Sequence, residues 1–400
     1  MWAVFKYLGP GFLVTVGFID PGNWATNVVA GSQYGYALLW VVALSTVMLI
    51  LLQHNAAHLG IATGLCLAEA ATRHFRRAVS RLVLYTALLA TVATAFAEVM
   101  GAAVGLNILF RLPIPLGALL VAAGVGILVQ TNGYRSLERT ILVFVAIIGF
   151  SFLVEVLLVH PDWRQVAAGT VLPRIPAGSM AMIMGVVGAV VMPHNLFLHS
   201  EVIQSRQWHL EDEAVIHRQL RYEFLDTLAS MLVGWAINAA MLVVAAAVFF
   251  RRGVAVTTLP QAAATLQPLV GELASLLFSL ALLLAGISAS ATAAMAGGTI
   301  FAGMFGKPIQ ARDPATRTGM ILPLAGALLL ALVAADPLRS LVWSQVALSI
   351  QLPVTAVALV ALTSSRRVMG KYANSALNQA VLWAVVAVIT VLNALLVLDL

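Results

Sequence analysis

Along most of this chain apolar residues do not alternate with polar ones; they run on unbroken. Stretches of about 20 apolar residues, enough to cross a bilayer as a helix, lie near 8–30, 36–58, 82–109, 112–131, 139–160, 179–200, 227–250, 270–299, 318–335, 341–363 and 378–398. The pattern predicts an all-α integral membrane protein with about eleven transmembrane helices, a single domain over residues 1–400. Tight turns are signalled at Gly31-Ser32-Gln33, Leu112-Pro113, Asn132-Gly133 and Asp336-Pro337. The longest polar stretch, Ser200 to Asp226, carries Glu211-Asp212-Glu213 and then Arg218 and Arg221. It reads as a solvated helical linker of mixed charge, with a regulatory role as the alternative.

Two of the spans are interrupted. In the first, Asp20-Pro21-Gly22-Asn23 stands between Leu8–Ile19 and Trp24–Ala30. A carboxylate there costs roughly 3 kcal/mol or more unless it has a partner or a cavity. Pro21 has no N–H to give and Gly22 weakens the helix at the same turn, so the helix is expected to break beside the charge. Freed carbonyls, a carboxylate and the Asn23 amide then face one point, and irregular backbone survives in lipid only where protein covers it or it lines a cavity. The sixth span holds the second break, Met192-Pro193-His194-Asn195. Interruptions at corresponding places in two halves point to an inverted-repeat transporter, with residues 8–160 repeated by 179–363 and 378–398 added. The cargo is expected where the breaks meet, near the bilayer midplane.

Composition agrees: 61% of the 400 residues are hydrophobic, 10% are charged, and the mean hydropathy is +0.98, outside the range of soluble domains. Cys66, the one cysteine, excludes an intrachain disulfide and a cysteine metal cluster and reads as a packing residue. The net charge of +6 suggests loops at the cytoplasmic face, not nucleic acid. With the N-terminus inside, 16 Lys and Arg fall on the inner side and 6 on the outer. The bias predicts a multi-pass inner or plasma membrane protein with a cytoplasmic N-terminus and an external C-terminus. Met1 to Lys6 is too short for a leader, so the first span is expected to direct insertion.

Asp-Pro-Gly-Asn in the first span and Met-Pro-His-Asn in the sixth resemble the signature of the Nramp family. Gln53 to Ala68 is similar to the family's second span and the loop after it, Glu98-Val99-Met100-Gly101 to its third, and Ser344-Gln345 with Gln351-Leu352-Pro353 to its tenth. The resemblance implies a LeuT-type fold with unwound helices 1 and 6. It also implies secondary-active, proton-coupled import of divalent transition metals by alternating access, without a resident cofactor.

The ligand set it implies is the Asp20 carboxylate, the Asn23 amide oxygen, the Ala189 carbonyl and the Met192 thioether. Gln345 and the Gly17 carbonyl are further candidates; for Gln345 an interhelical amide bond is the alternative. Oxygen alone suits Mg2+ and Ca2+, whereas sulfur favours softer metals, so Mn2+ or Fe2+ is expected, with Co2+, Cd2+ or Zn2+ to some degree. Ordinary apolar packing is the alternative for Met192.

Asp20, His194 and Glu98 are the candidates for proton transfer. Many Nramp members have an acid one turn before the position of Glu98; here Ala95 stands there, which leaves the usual proton exit in question. His194 could instead bridge helices, and His199, His54 and His58 are read as structural. The rival readings are a Mg2+ transporter of a related branch, expected to lack the methionine, and a sodium-coupled solute transporter of the same fold, whose substrate carboxylate Asp20 would repel. A passive channel would fit a symmetric pore better. A membrane metalloprotease would want a His-Glu-x-x-His helix, and none occurs, so no enzymatic role is expected. Oligomeric state is left open.

Overall fold

The computed structural model describes residues 20–131, 154–206, 213–258, 272–307, 309–310 and 312–399. Within them the chain is helical: α1 (Pro21–Tyr34), α2 (Leu39–Thr63), α3 (Leu67–His74), α4 (Arg77–Phe110), α5 (Ile114–Thr131), α6 (Trp163–Val171), α7 (Met180–Val190), α8 (Pro193–Val202), α9 (Glu213–Val248), α10 (Glu272–Met304), α11 (Pro314–Val333), α12 (Pro337–Thr363) and, after a short helical joint, α13 (Ala376–Asp399). Nine stretches among the described residues are long and apolar enough to cross a membrane, the first of them, Pro21–Thr63, taking in both α1 and α2. Residues 8–19 of the first expected span, 139–153 of the fifth, 270–271 of the eighth, and Asn132-Gly133 lie outside the described residues.

α4 forms the spine, packed along α10, α11, α12 and α5, while α1 lies on α9 and α7 on α12. Close approach is bought with small residues, as usual between helices in lipid. A Cβ on Gly286 of α10 would stand 2.6 Å from the Glu98 carbonyl of α4, and one on Gly31 of α1 would stand 2.5 Å from the Leu242 carbonyl of α9. Large apolar side chains face outward instead: Leu89, Ile127, Leu329 and Val397 are all more than 60% exposed. Such a surface suits hydrocarbon, not water.

Two sequence expectations are corrected. Gly31-Ser32-Gln33 is not a turn but the last part of α1; the glycine serves packing on α9, and the chain turns at Gly35, with φ +58°. Ser200–Asp226 is not one solvated linker, because α9 begins at Glu213 and buries Ile216, Gln219, Glu223 and Asp226. That stripe has helical spacing, but its polar members hide it from a hydrophobicity scan.

Glu223 is buried because it has partners: His54 Nδ1 of α2 lies 2.5 Å from its Oε2 and Thr227 Oγ1 donates to its Oε1 at 2.7 Å. Glu223→Ala should lower the thermal stability of the detergent-solubilised protein by about 2 kcal/mol. The figure is moderate because the His54 side chain is 34% exposed. An unchanged melting temperature would remove the pair from the set of stabilising contacts.

Candidate metal centre

The first break begins at Asp20. Its backbone is extended, φ −125° and ψ 165°, and its side chain caps α1 by accepting from the Asn23 N–H at 2.5 Å. Pro21 takes the first helical position, where a missing N–H does no harm. The second break follows from register. In an unbroken helix the Ala189 carbonyl would accept from the N–H of residue 193, and that residue is proline. α7 therefore ends at Val190, Met192 is extended at φ −76° and ψ 119°, and α8 restarts at Pro193.

Asn23 joins the two breaks. Its Nδ2 donates to the freed Ala189 carbonyl at 2.7 Å and lies 3.5 Å from Asp20 Oδ2. A carboxylate oxygen and a backbone oxygen from different halves of the chain thus converge on one partial positive charge. Turning the Asn23 amide about its last side-chain bond would withdraw that charge and present Oδ1. Asp20, Asn23, Ala189 and Met192 are all 0% exposed, so the centre is closed to solvent.

Three further groups surround it. Glu98 of α4 sets its carboxyl opposite that of Asp20, within hydrogen-bonding reach; no other described group gives its oxygens a hydrogen bond. Gln345 of α12 lies against both breaks: a Cβ on Gly22 would overlap its side-chain amide, and one on Gly188 would overlap its backbone carbonyl. Its Nε2 lies 3.4 Å from Ser344 Oγ, while Oε1 is buried with no donor among the described residues. Pro21 itself is received by Gly101 of α4, where a Cβ would overlap the proline ring.

His194 Nδ1 meets Thr94 Oγ1 of α4 at 3.2 Å, and His199 Nδ1 meets Gln53 Oε1 of α2 at 2.9 Å. Among the described residues no three His, Cys, Asp or Glu side chains stand together as a metal site. The donors here are of mixed kind instead: one carboxylate, a carbonyl, an amide and a thioether.

The sequence profile of the family described as natural resistance-associated macrophage protein-like, Nramp, matches residues 11–399. The chain belongs to the Nramp family. Similar Nramp relatives include the divalent metal cation transporter MntH of Caldanaerobacter subterraneus subsp. tengcongensis, 38% identical over 98% of this chain and 92% of that protein. The MntH of Bacillus subtilis is 37% identical over the same shares. The manganese transporter of Eremococcus coleocola, solved as a mutant, superposes with a TM-score of 0.81 at 30% identity over 98% of this chain and 85% of that one. Mhp1, a nucleobase-cation-symport-1 family transporter, aligns with a TM-score of 0.65 at 16% identity, and MhsT with 0.60 at 14%. These two share the fold alone, the LeuT-type arrangement expected from the sequence.

Of the sequence-predicted residues, the Nramp fold brings Asp20, Asn23, Ala189, Glu98 and Gln345 together and puts Met192 in the second break. Gly17 lies outside the described residues; in the sequence it precedes Pro21 by the same interval as Ala189 precedes Pro193. His194 meets Thr94 of α4, one turn before Glu98, and Ala95, the residue after Thr94, is fully buried. Sequence reasoning missed Thr94, Gly188 and Asn195, whose Nδ2 donates to Met192 Sδ at 3.8 Å. Only the spacing of Asn195, three residues past Met192 in the first turn after the break, signals it.

Proposed function

We propose that this Nramp protein is a transporter, not an enzyme, which imports divalent transition-metal ions by alternating access, with Mn2+ as the principal cargo and Fe2+, Co2+ or Cd2+ accepted. The observation that carries the reading is the junction at Asn23, where the Asp20 carboxylate and the Ala189 carbonyl, from opposite halves of the chain, share one amide donor. A bound cation takes the place of that donor. Asp20 supplies hard anionic oxygen, the turned Asn23 amide and Ala189 supply neutral oxygens, and Met192 supplies the soft ligand. The MntH names of the relatives and the manganese transporter among the solved structures support the same cargo class.

Proton coupling belongs to the reading. Two carboxyl groups at hydrogen-bonding distance cannot both carry full charge in a dry interior, so the Asp20–Glu98 pair holds a proton that an arriving cation displaces. Thr94, one turn from Glu98 along α4, and His194 of α8, which it meets, are the next polar groups. With Ala95 in place of a second acid, this pair and His194 are the groups left to carry the coupling. The inward gradient and a negative interior both favour entry, at ~2.3 kcal/mol per charge for each 100 mV. The 16 to 6 distribution of basic residues supports a cytoplasmic N-terminus in the cell's plasma or inner membrane.

Uptake of Mn2+ into proteoliposomes, with internal pH followed alongside, tests the function directly: acidification should accompany uptake and stop when Mn2+ is omitted. Met192→Ala tests the cargo class. Calorimetric titration should show Cd2+ affinity falling by at least ten-fold and more than that of Mn2+, with weaker discrimination against Ca2+ and Mg2+, as expected when a soft ligand leaves a mixed site. Equal selectivity before and after would show that sulfur is not the filter.

A further inference from the structure

The break between α7 and α8 contains an amide that the transport reading leaves without a task. Asn195 is 1% exposed, in the first turn of α8. Its Nδ2 donates to Met192 Sδ at 3.8 Å, its Oδ1 is buried with no partner among the described residues, and its backbone N–H is bonded to the Met192 carbonyl at 3.2 Å. Burying an amide is unfavourable unless its hydrogen bonds are made, and here the one side-chain bond it makes among the described residues is to a sulfur.

An ordinary structural role fits poorly. A polar residue at this third helical position can reach back to the N-cap N–H as half of a capping box. Asn195 has no such bond, and the cap residue Met192 makes no side-chain cap either. The turn is already fixed by other means: Pro193 sets its start, while His194 and His199 tie α8 to α4 and α2. The Met192 side chain is fully buried in the core, but its three rotatable bonds give it no shape of its own that would aim the sulfur.

We propose that Asn195 is a positioning residue: it holds the Met192 thioether in place for the ion and so sets the preference of the centre for soft over hard metals. A thioether sulfur has two lone pairs. One accepts the Asn195 N–H and the other is left for the cation, so the hydrogen bond and the metal bond are compatible. A ligand held in one orientation needs no reordering when the ion arrives, and second-sphere hydrogen bonds of this kind tune metal sites elsewhere. The proposal rests on the reading that Met192 is a ligand.

The test is a double-mutant cycle read by calorimetry on the purified protein with Cd2+ alone and Mn2+ alone. Asn195→Ala should lower Cd2+ affinity about three-fold more than Mn2+ affinity, the size expected for losing one weak N–H···S bond. In the Met192→Ala background the same change should leave the Cd2+ to Mn2+ ratio where it was. Equal weakening of both metals by Asn195→Ala, or an unchanged shift in the ratio once Met192 is gone, would overturn the positioning role. If Met192→Ala itself leaves the ratio untouched, the ligand reading fails instead, and the positioning role with it. Should Asn195→Ala not fold, Asn195→Leu fills a similar volume without a donor and carries the same expectation.

Discussion

Asp20→Ala and Asp20→Asn should both abolish Mn2+ uptake, while each protein still inserts and folds. The two substitutions separate two tasks that one side chain performs. Asp20 caps α1 through the Asn23 N–H, and it brings the only negative charge among the proposed ligands. Alanine removes both, at a cost of about 1 kcal/mol for the cap. Asparagine keeps an acceptor and caps a helix as well as aspartate does, so it removes the charge alone.

The charge matters more than its size suggests. α1 begins at Pro21 and α8 at Pro193, so two helix N-termini, each with about half a positive charge, open at this centre. Without Asp20 a divalent cation would meet those two termini with neutral donors only. Mn2+ affinity should therefore fall by more than the ~100-fold that loss of a second-sphere group alone can cause. Calorimetry and proteoliposome uptake read the result, with circular dichroism to show that helix content is kept. Wild-type uptake by Asp20→Asn would remove the carboxylate, and with it the centre proposed here.

The same electrostatics accounts for a site that lets go. One carboxylate facing two positive helix ends gives a cation moderate attraction, not a trap. The C-terminal end of α7, with the Ala189 carbonyl turned toward Asn23, supplies the opposing partial charge. In the proposed cycle, release would need only that Asn23 turn back so that its amide donor takes the ion's place, which is the arrangement its bonds to Asp20 and Ala189 have here.

Much of this was legible in the sequence because the bilayer is a strict solvent. Runs of about 20 apolar residues can be little else than spans, and a proline next to a polar residue inside one has to open the helix. The Ala189 carbonyl is what the family resemblance implies, and its place four residues before Pro193 fits a carbonyl left without its helical partner. The limits are equally physical. Apolar scanning found the seventh span at 227–250 but not that its helix already begins at Glu213, because the buried residues Gln219, Glu223 and Asp226 of that first part are polar.

Gly31 was read as punctuation when it marks close packing on α9; sequence alone does not say whether a glycine bends a chain or admits a neighbour. Asn195 was passed over for a similar reason. A polar residue in the signature was taken as part of the motif, and its bond to a sulfur is visible only when the rotamers are.

Gly188→Val should stop transport as completely as loss of Asp20, and for a different reason. Gly188 is on α7 immediately before Ala189, and a Cβ there would run into the backbone of α12, overlapping the Gln345 carbonyl and standing 2.8 Å from the Ser349 nitrogen. A flexible side chain could move aside; backbone cannot, so the two helices must part by about 1 Å or more to regain ordinary contact. Gln345 would then be lifted from Gly22, and the Ala189 carbonyl would shift relative to Asn23. A displacement of that size at a reacting centre can cost on the order of 100-fold in rate, and here it separates the halves that the proposed function has close on the ion. Gly124→Ala is the matching control: that glycine lies in α5 with nothing within 4 Å of a Cβ. It should transport normally and gain about 0.5–1 kcal/mol in stability from better helix propensity. Normal Mn2+ uptake by Gly188→Val would mean that α7 and α12 need not touch for transport, and Gln345 would lose its place beside the centre.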